Sequence, residues 1–245
     1  MKRTTLAAAL ANVTLAVGLA LPATAAVATP NDTTSPAASA TKATPVPAVQ
    51  ARCRAAITKR FGQLDVLAAR TAASTSLSDT HRASITTILT GTRTGLTELQ
   101  AQIAAASTVD QLKPLCGAVV TDHRVYVLRT PQVDLTIRFD RASAATDLLE
   151  VQAASFQQRI DTLKAQGKDT SKAESALATM NARLATADQA QAGRADALLL
   201  LTPADYNADT GIVGPFVTAA RQAEKANGSA IYWAARTEAA LRRLA

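Results

Sequence analysis

The chain of 245 residues has few aromatic and few metal-binding side chains: it contains 4 Phe, 3 Tyr, 1 Trp, 2 His and 2 Cys. A hydrophobic core must therefore consist of Ala, Leu, Val and Ile, which favours close helix packing. The two cysteines form no Cys-x-x-Cys motif, and a zinc site would need both of them and both histidines. Phosphate-binding glycine loops, nucleophile elbows and metalloprotease His pairs are missing too. We therefore predict a protein without a cofactor that is not an enzyme.

Long apolar runs are absent beyond the start of the chain. Lys2 and Arg3 precede an apolar run that ends at a proline and several small residues. This order predicts a secretory signal peptide over residues 1–28, with cleavage after Ala25 or after Ala28. An uncleaved membrane anchor is the alternative, and the polar and small residues within the run disfavour it. No later segment has the roughly 18 apolar residues of a transmembrane helix, so we expect a secreted mature chain, free or non-covalently associated with the cell wall.

Residues 29–46 are rich in Thr, Ser, Pro and Ala and contain almost no large apolar residues. Such a segment cannot bury enough apolar surface to offset its ordering entropy, so we predict a disordered linker. Residues 47–245 are enough for one domain with its own core. The formal charge of +7 falls to +5 once the signal peptide with Lys2 and Arg3 is removed. This mildly basic balance suits contact with an anionic surface.

The two cysteines, Cys53 and Cys116, form an even pair in an exported chain, which favours a disulfide over two free thiols. Apolar residues three and four apart over 49–67 predict a first helix with Cys53 on its buried face. A third helix is predicted after the cap pair Ser107 and Asp110, with Cys116 on its buried face. The disulfide would then join the first helix to the third.

The second helix is predicted to begin near Ser78. It contains Gly91 and Gly95, each of which costs about 1 kcal/mol relative to Ala within a helix. Their presence indicates a close helix contact or a local irregularity.

A long helix is predicted from Pro131 to Gly167, because apolar residues recur there at seven-residue spacing (Leu135, Ala142, Leu149, Phe156 and Leu163). Ser171 and Glu174 match a capping box for the next helix, whose apolar spacing extends to Leu198 despite the polar Gln191 and Arg194. We predict an all-α fold: an elongated bundle of about six helices with one disulfide and a long, coiled-coil-like antiparallel helical hairpin.

Residues 125–139 also match a second pattern. Val133, Leu135, Ile137 and Phe139 alternate with polar residues, which is typical of a β-strand. A β-hairpin is therefore the alternative to a helix that is kinked or broken at Pro131, and the helical surroundings favour the helix.

The segment 205–211 carries oxygen ligands at alternate positions, as at the start of a calcium-binding loop. The candidate metal ligands are Asp205, Asn207 and Asp209. The Gly and Glu expected at the sixth and twelfth positions of such a loop are missing. The competing interpretation is a capped turn in which Thr202 is the N-cap and Pro203 the first helical residue.

The last helix, predicted over 215–245, has cations and one aromatic residue within a stripe roughly 60° wide (Arg221, Lys225, Tyr232, Arg236 and Arg243). The apolar residues Phe216, Ile231, Ala234 and Leu241 are expected on the opposite side. Such a stripe fits a phosphate-rich polymer such as teichoic acid, or lipid head groups. The alternative is an ordinary solvated face, because Glu224 and Glu238 dilute its positive charge.

Two acid–base pairs remain: Asp79 near His81, and Asp122 beside His123. Sequence adjacency does not orient a base against a nucleophile, so we expect both histidines at the surface without a catalytic role.

The leader, the cysteine pair and the segments DHRVYVLRTPQV (122–133) and LTPADYNAD (201–209) resemble a group of uncharacterised Ala-rich secreted helical proteins of high-GC Gram-positive bacteria. The resemblance implies an exported helical fold and assigns no functional residue. We expect a non-enzymatic module of the cell envelope whose partner is an anionic wall polymer or an envelope protein, and not nucleic acid. A calcium-dependent module and a cell-wall hydrolase are the alternatives, and the spacing leaves the oligomeric state open.

Overall fold

A computed structural model describes residues 45–244. The signal peptide predicted for residues 1–28 lies outside the described residues, as does the predicted linker up to residue 44. The described helices are α1 (Val46–Ala73), α2 (Asp79–Ala105), α3 (Val109–Thr121), a π-helical turn (Val125–Arg129), α4 (Thr130–Ala165), α5 (Ser171–Gln191), α6 (Arg194–Leu199), α7 (Pro203–Ala208) and α8 (Gly214–Arg242). No strand occurs among these residues, and six of the helices have 13 residues or more. The all-α prediction is confirmed.

The first three helices pack around one apolar core with the π-helical turn. A disulfide links Cys53 on α1 to Cys116 on α3, whose Cα atoms lie 5.4 Å apart. The predicted pairing and the predicted link between the first and third helices are both confirmed. Ser78 is the N-cap of α2, and its hydroxyl accepts the backbone N–H of His81 at 3.2 Å.

The predicted cap of α3 is wrong by one residue. Thr108 is the N-cap, its hydroxyl accepts the N–H of Gln111, and the Gln111 side chain accepts the N–H of Thr108 at 3.2 Å. Asp110 instead forms an ion pair with Lys113 at 2.8 Å. The reciprocal pair satisfies N–H groups that the start of a helix leaves free, which favours this register.

Residues 125–139 are helical. The π-helical turn leads directly into α4, and Pro131 lies in the first turn of α4. The strand-like alternation arises because the start of α4 is covered on two sides. Val133 and Ile137 pack on the core of the first three helices, whereas Leu135 and Phe139 pack on a second cluster with α6 and α8.

The predicted hairpin of α4 and α5 is present, and α8 completes it as a three-helix bundle. Lys164 contacts Glu174 near the turn and Gln191 contacts Thr146 at the far end, so α4 and α5 are antiparallel. Alanines line the buried faces of α5 and α8, which allows the helices to pack closely (Ala173, Ala176, Ala187, Ala190, Ala219, Ala220, Ala223, Ala226, Ala230 and Ala234).

Two details of α5 differ from the prediction. The helix ends at Gln191, because Gly193 has a φ of 63° and a new helix, α6, begins at Arg194. The capping box of Ser171 and Glu174 is not formed. Asp169 accepts the Ser171 N–H at 3.1 Å, while Glu174 is paired with Lys164 at 2.8 Å.

Among the described residues, no helix combines the length and the apolar character that a membrane crossing requires.

Candidate functional site

The five residues of the predicted stripe all lie on one solvent-exposed face of α8 and its C-cap residue, Arg243 (Arg221, Lys225, Tyr232, Arg236 and Arg243). We refer to this face as the cationic stripe. Since α8 is continuous across Gly228, the helical register on which the stripe depends holds from end to end. At 1.5 Å per residue, Arg221 and Arg243 are about 33 Å apart along the helix axis.

The buried face of α8 lies opposite the cationic stripe and contains Phe216, Ala234 and Leu241 as predicted. The prediction for Ile231 is wrong, because this side chain is 56% exposed. At 100° per residue Ile231 lies about a quarter-turn from the centre of the buried face, on the flank nearest α4.

The two acidic residues of α8 near the cationic stripe are turned toward α4. Arg138 holds Glu224 with two hydrogen bonds of 2.7 and 2.8 Å, and Arg141 lies 3.5 Å from the same carboxylate. Glu238 is paired with Arg159 and with Arg242. The hydrogen bonds from Arg138 and Arg159 lower the pKa values of Glu224 and Glu238, so both are ionised and paired near neutral pH.

The cations of the cationic stripe, unlike these glutamates, are not held in ion pairs in the described structure. Within the part of the chain that the structure describes, none of its three arginines or its lysine has a carboxylate within 4.0 Å. The negative charges of Glu224 and Glu238, which were expected to dilute the stripe, are therefore neutralised by arginines of α4 and α8 that lie outside the stripe.

A groove of about 850 Å³ adjoins the end of the cationic stripe, between the start of α5 and the last turns of α8. We call it the α5/α8 groove. Its lining includes Lys172 from α5, Trp233 and Arg236 from α8, and Arg243, the C-cap residue of α8. The groove thus combines three cations and the carboxylate of Asp169 with an indole ring.

The aromatic residues beside the groove are packed against each other and against a cation. The rings of Tyr232 and Trp233 meet edge to face with centroids 5.4 Å apart. The Arg236 guanidinium lies 6.0 Å from the Tyr232 ring centroid, a cation–π contact that orients this arginine.

Lys172 and Trp233 were not predicted as site residues. The only signals in the sequence were that Trp233 is the single tryptophan and adjoins Tyr232. Lys172 belongs to a different helix, and apolar spacing alone does not decide which face of α5 meets α8.

The three candidate calcium ligands have separate partners. Asp205 accepts the N–H and the hydroxyl of Thr202, Asn207 contacts Arg124, and Asp209 accepts the N–H of Gly211 at 2.8 Å. Asp205 and Asn207 lie on α7, where residues two apart point about 200° away from each other. The predicted capped turn, with Thr202 as N-cap and Pro203 in the first helical turn, is confirmed. No group of three or more His, Cys, Asp or Glu suited to a metal occurs among the described residues.

The two segments 122–133 and 201–209 contact each other. Arg124 has a φ of 42°, donates from Nε to the Asn207 side chain at 2.6 Å and lies over the Tyr206 ring. The Asn207 amide in turn donates to the carbonyl of Thr121 at 3.0 Å. These contacts hold α7 against the end of α3, which is a structural role.

His81 is not a surface residue, in contrast to the prediction. Its side chain is 16% exposed, and its Nδ1 lies 2.7 Å from a carboxylate oxygen of Asp140, which is 10% exposed. Its Nε2 lies 3.1 Å from Asp196, at the edge of a polar cleft of about 320 Å³. The partners are thus two carboxylates from α4 and α6, distant in sequence.

His123 is half-buried, which also differs from the prediction, and it packs against Gly95 of α2. Burial lowers the pKa of His123.

Comparison of the chain with known protein families, curated proteins and solved structures gave no match.

Proposed function

We propose that this protein is an exported, non-enzymatic module that binds an anionic polymer of the cell envelope through the cationic stripe of α8. The observation that carries the proposal is the arrangement of charges around α8. Its two nearby glutamates are paired with Arg138, Arg159 and other arginines outside the stripe, whereas the cations of the stripe face solvent. A linear polyanion can contact such a stripe along its whole length.

The leader and the disulfide support export. The order of charged, apolar and small residues over 1–28 is typical of a secretory signal, and disulfides such as Cys53–Cys116 persist in oxidising compartments.

Co-sedimentation with purified cell walls tests the proposal. The protein is mixed with walls that contain or lack teichoic acid, at low and at high salt. We expect binding that requires the teichoic acid and weakens with salt, because exposed charges are screened.

A pair of charge-matched variants makes the test specific. The stripe variant carries Arg221→Ala, Lys225→Ala, Arg236→Ala and Arg243→Ala. The control removes four exposed arginines elsewhere, at positions 52, 54, 183 and 194, and thus has the same net charge. We expect the stripe variant to bind at least about tenfold more weakly, since each exposed pair contributes up to about 1 kcal/mol, and the control to bind nearly as the wild type.

The remaining outcomes separate the alternatives. Equal loss in both variants, or no binding at low salt, would overturn the proposal. Calcium-induced thermal stabilisation that EDTA reverses would support the calcium-dependent module, and release of soluble wall fragments would support a hydrolase.

A further inference from the structure

We infer that the α5/α8 groove recognises a phosphodiester polymer that carries sugar rings, with Trp233 packed on a sugar and Arg236, Arg243 and Lys172 on the phosphates. This inference rests on the proposed function and names the chemical class of its ligand.

The first argument is the composition of the groove. A polymer with only phosphates requires only cations, yet Trp233 lines the α5/α8 groove beside Arg236 and Arg243. The face of an indole ring carries a negative quadrupole, which attracts the weakly positive C–H groups of a sugar ring. The groove therefore offers one surface for a neutral ring and another for anions.

The second argument is the spacing of the cations. Arg236 and Arg243 are seven residues apart on the same face, which separates them by about 10.5 Å along the helix axis. Between them the groove is lined by Ala239 and Ala240, which are small and uncharged. This pattern favours a ligand whose negative charges are separated by a neutral unit over one with adjoining charges.

The third argument is that the groove is partly preformed. Its cation Arg236 is held against the Tyr232 ring, and Tyr232 in turn contacts Trp233 edge to face. Trp233 also packs on the core of the bundle of α4, α5 and α8. Ordered side chains lose less conformational entropy on binding, which favours specific recognition over diffuse attraction.

The fluorescence of Trp233 tests the inference directly, because the chain has a single tryptophan. The disulfide-bonded protein is titrated with inorganic polyphosphate, with poly(glycerol phosphate) and with glucosylated poly(glycerol phosphate) of equal length. We expect all three to bind at low salt. The glucosylated polymer should bind about tenfold more tightly than the unsubstituted one and change the Trp233 emission most.

Two variants at position 233 identify the role of the ring, and calorimetry measures how tightly each variant binds the polymers. Trp233→Leu keeps an apolar side chain, and we expect it to bind both glycerol phosphate polymers equally and as tightly as the wild type binds the unsubstituted one. Trp233→Phe keeps an aromatic face and should retain most of the preference. Thermal unfolding of each variant shows whether the bundle is intact. If Trp233→Leu unfolds the bundle, the affinities of Trp233→Phe provide the test.

Each contrary result has a separate meaning. Equal affinity of the wild type for the glucosylated and unsubstituted polymers would overturn this inference and leave the proposed function standing. Failure of every polymer to bind would overturn both. Tighter binding to phosphatidylglycerol vesicles than to any polymer would overturn the inference in favour of a membrane surface.

Discussion

At the residue scale, two glycines of α2 have different surroundings although they lie one turn apart. A Cβ atom at Gly95 would lie 2.7 Å from Cε1 of His123, whereas one at Gly91 would meet no atom within 4 Å. The close contact predicted for these glycines is therefore present at Gly95, and it is made by the His123 side chain from the segment after α3. Gly91 has no such requirement within the described structure.

We therefore expect Gly91→Ala to stabilise the protein by about 0.5–1 kcal/mol, because Ala has the higher helix propensity. Gly95→Ala should destabilise it by about 1 kcal/mol, because the new methyl group displaces the His123 ring. Urea unfolding at neutral pH measures both. In the Gly95→Ala/His123→Ala double variant the penalty of the methyl group should disappear. Equal stabilisation by both single substitutions would contradict this account.

His123 also gives a pH prediction. Burial holds the pKa of His123 below the value of about 6.5 that it has in the unfolded chain. Asp122 raises this pKa, whereas Arg129 and Arg60 lower it further. The unfolded chain therefore takes up a proton at a higher pH than the folded chain. Stability is then fully present above about pH 6.5 and falls as the pH drops toward the folded pKa.

The free energy of unfolding, measured from pH 8 to pH 5, should decrease less steeply for His123→Gln than for the wild type. Gln keeps a polar side chain of similar reach and does not titrate in this range. If the free energy of unfolding fell equally steeply with pH in the variant and the wild type, His123 would not contribute to the acid sensitivity of the fold.

At the scale of elements, α8 and α4 run in the same direction and are joined by polar contacts along their length. Glu224 meets Arg138, Asn227 donates to the carbonyl of Ala142 at 2.8 Å, and Glu238 meets Arg159. The side-chain oxygen of the buried Asn227 accepts a hydrogen bond of 3.0 Å from the Thr146 hydroxyl, so α4 supplies partners for both ends of this amide. A shifted register would leave these groups unpaired, so they specify how α8 lies on α4.

The ion pair of Glu224 predicts an acid-dependent contribution to stability. Arg138 lowers the pKa of Glu224, so the pair stabilises the fold above the ordinary glutamate pKa of about 4.3 and is lost as the pH falls through the folded pKa. Because both side chains are partly exposed, we expect Glu224→Gln to cost no more than about 1 kcal/mol at pH 7.

Urea unfolding at pH 7 and near pH 2.5 measures this effect, and the difference between Glu224→Gln and the wild type should shrink at the lower pH. Glu98→Gln, at an exposed position of α2, is the control and should be neutral at both values. An equal difference at both pH values would show that the ion pair is not its cause.

At the scale of the whole molecule, α4 packs both on the core of the first three helices and in the bundle with α5 and α8. Val133 near its start packs on the core of α1, α2 and α3, while Phe156 packs between α5 and α8. Buried Gln132 donates to the carbonyls of Leu198 and Leu201 at 2.9 Å, which fixes α6 on α4. His81 connects α2 to α4 and α6 through its two carboxylate partners.

The disulfide acts on this whole arrangement, because it closes a loop of 63 residues that contains all of α2. In the chain-entropy model such a loop contributes up to about 4 kcal/mol. We expect Cys53→Ser/Cys116→Ser to lower the free energy of unfolding by several kcal/mol, measured by urea unfolding. Reductant should have a similar effect on the wild type and none on the double variant. A loss below about 1 kcal/mol would contradict the model.

The sequence alone determined the features that depend on neighbouring residues or on helical periodicity. Thr202 and Pro203 begin α7, Ser78 caps α2, and the stripe residues from Arg221 to Arg243 share one exposed face. Caps and helical faces depend on atoms within about one turn of helix, so residue type and spacing suffice to predict them.

Only the tertiary structure decided which distant groups meet. The start of α4 alternates like a strand because two cores cover it, His81 is enclosed by Asp140 and Asp196, and Ile231 is exposed on the flank of α8. The same holds for the candidate site, since the glutamates of α8 are neutralised by α4 and Lys172 is supplied by α5. Polar partners and groove walls come from residues far apart in the chain, and apolar spacing shows which face of a helix is buried without showing which helix covers it.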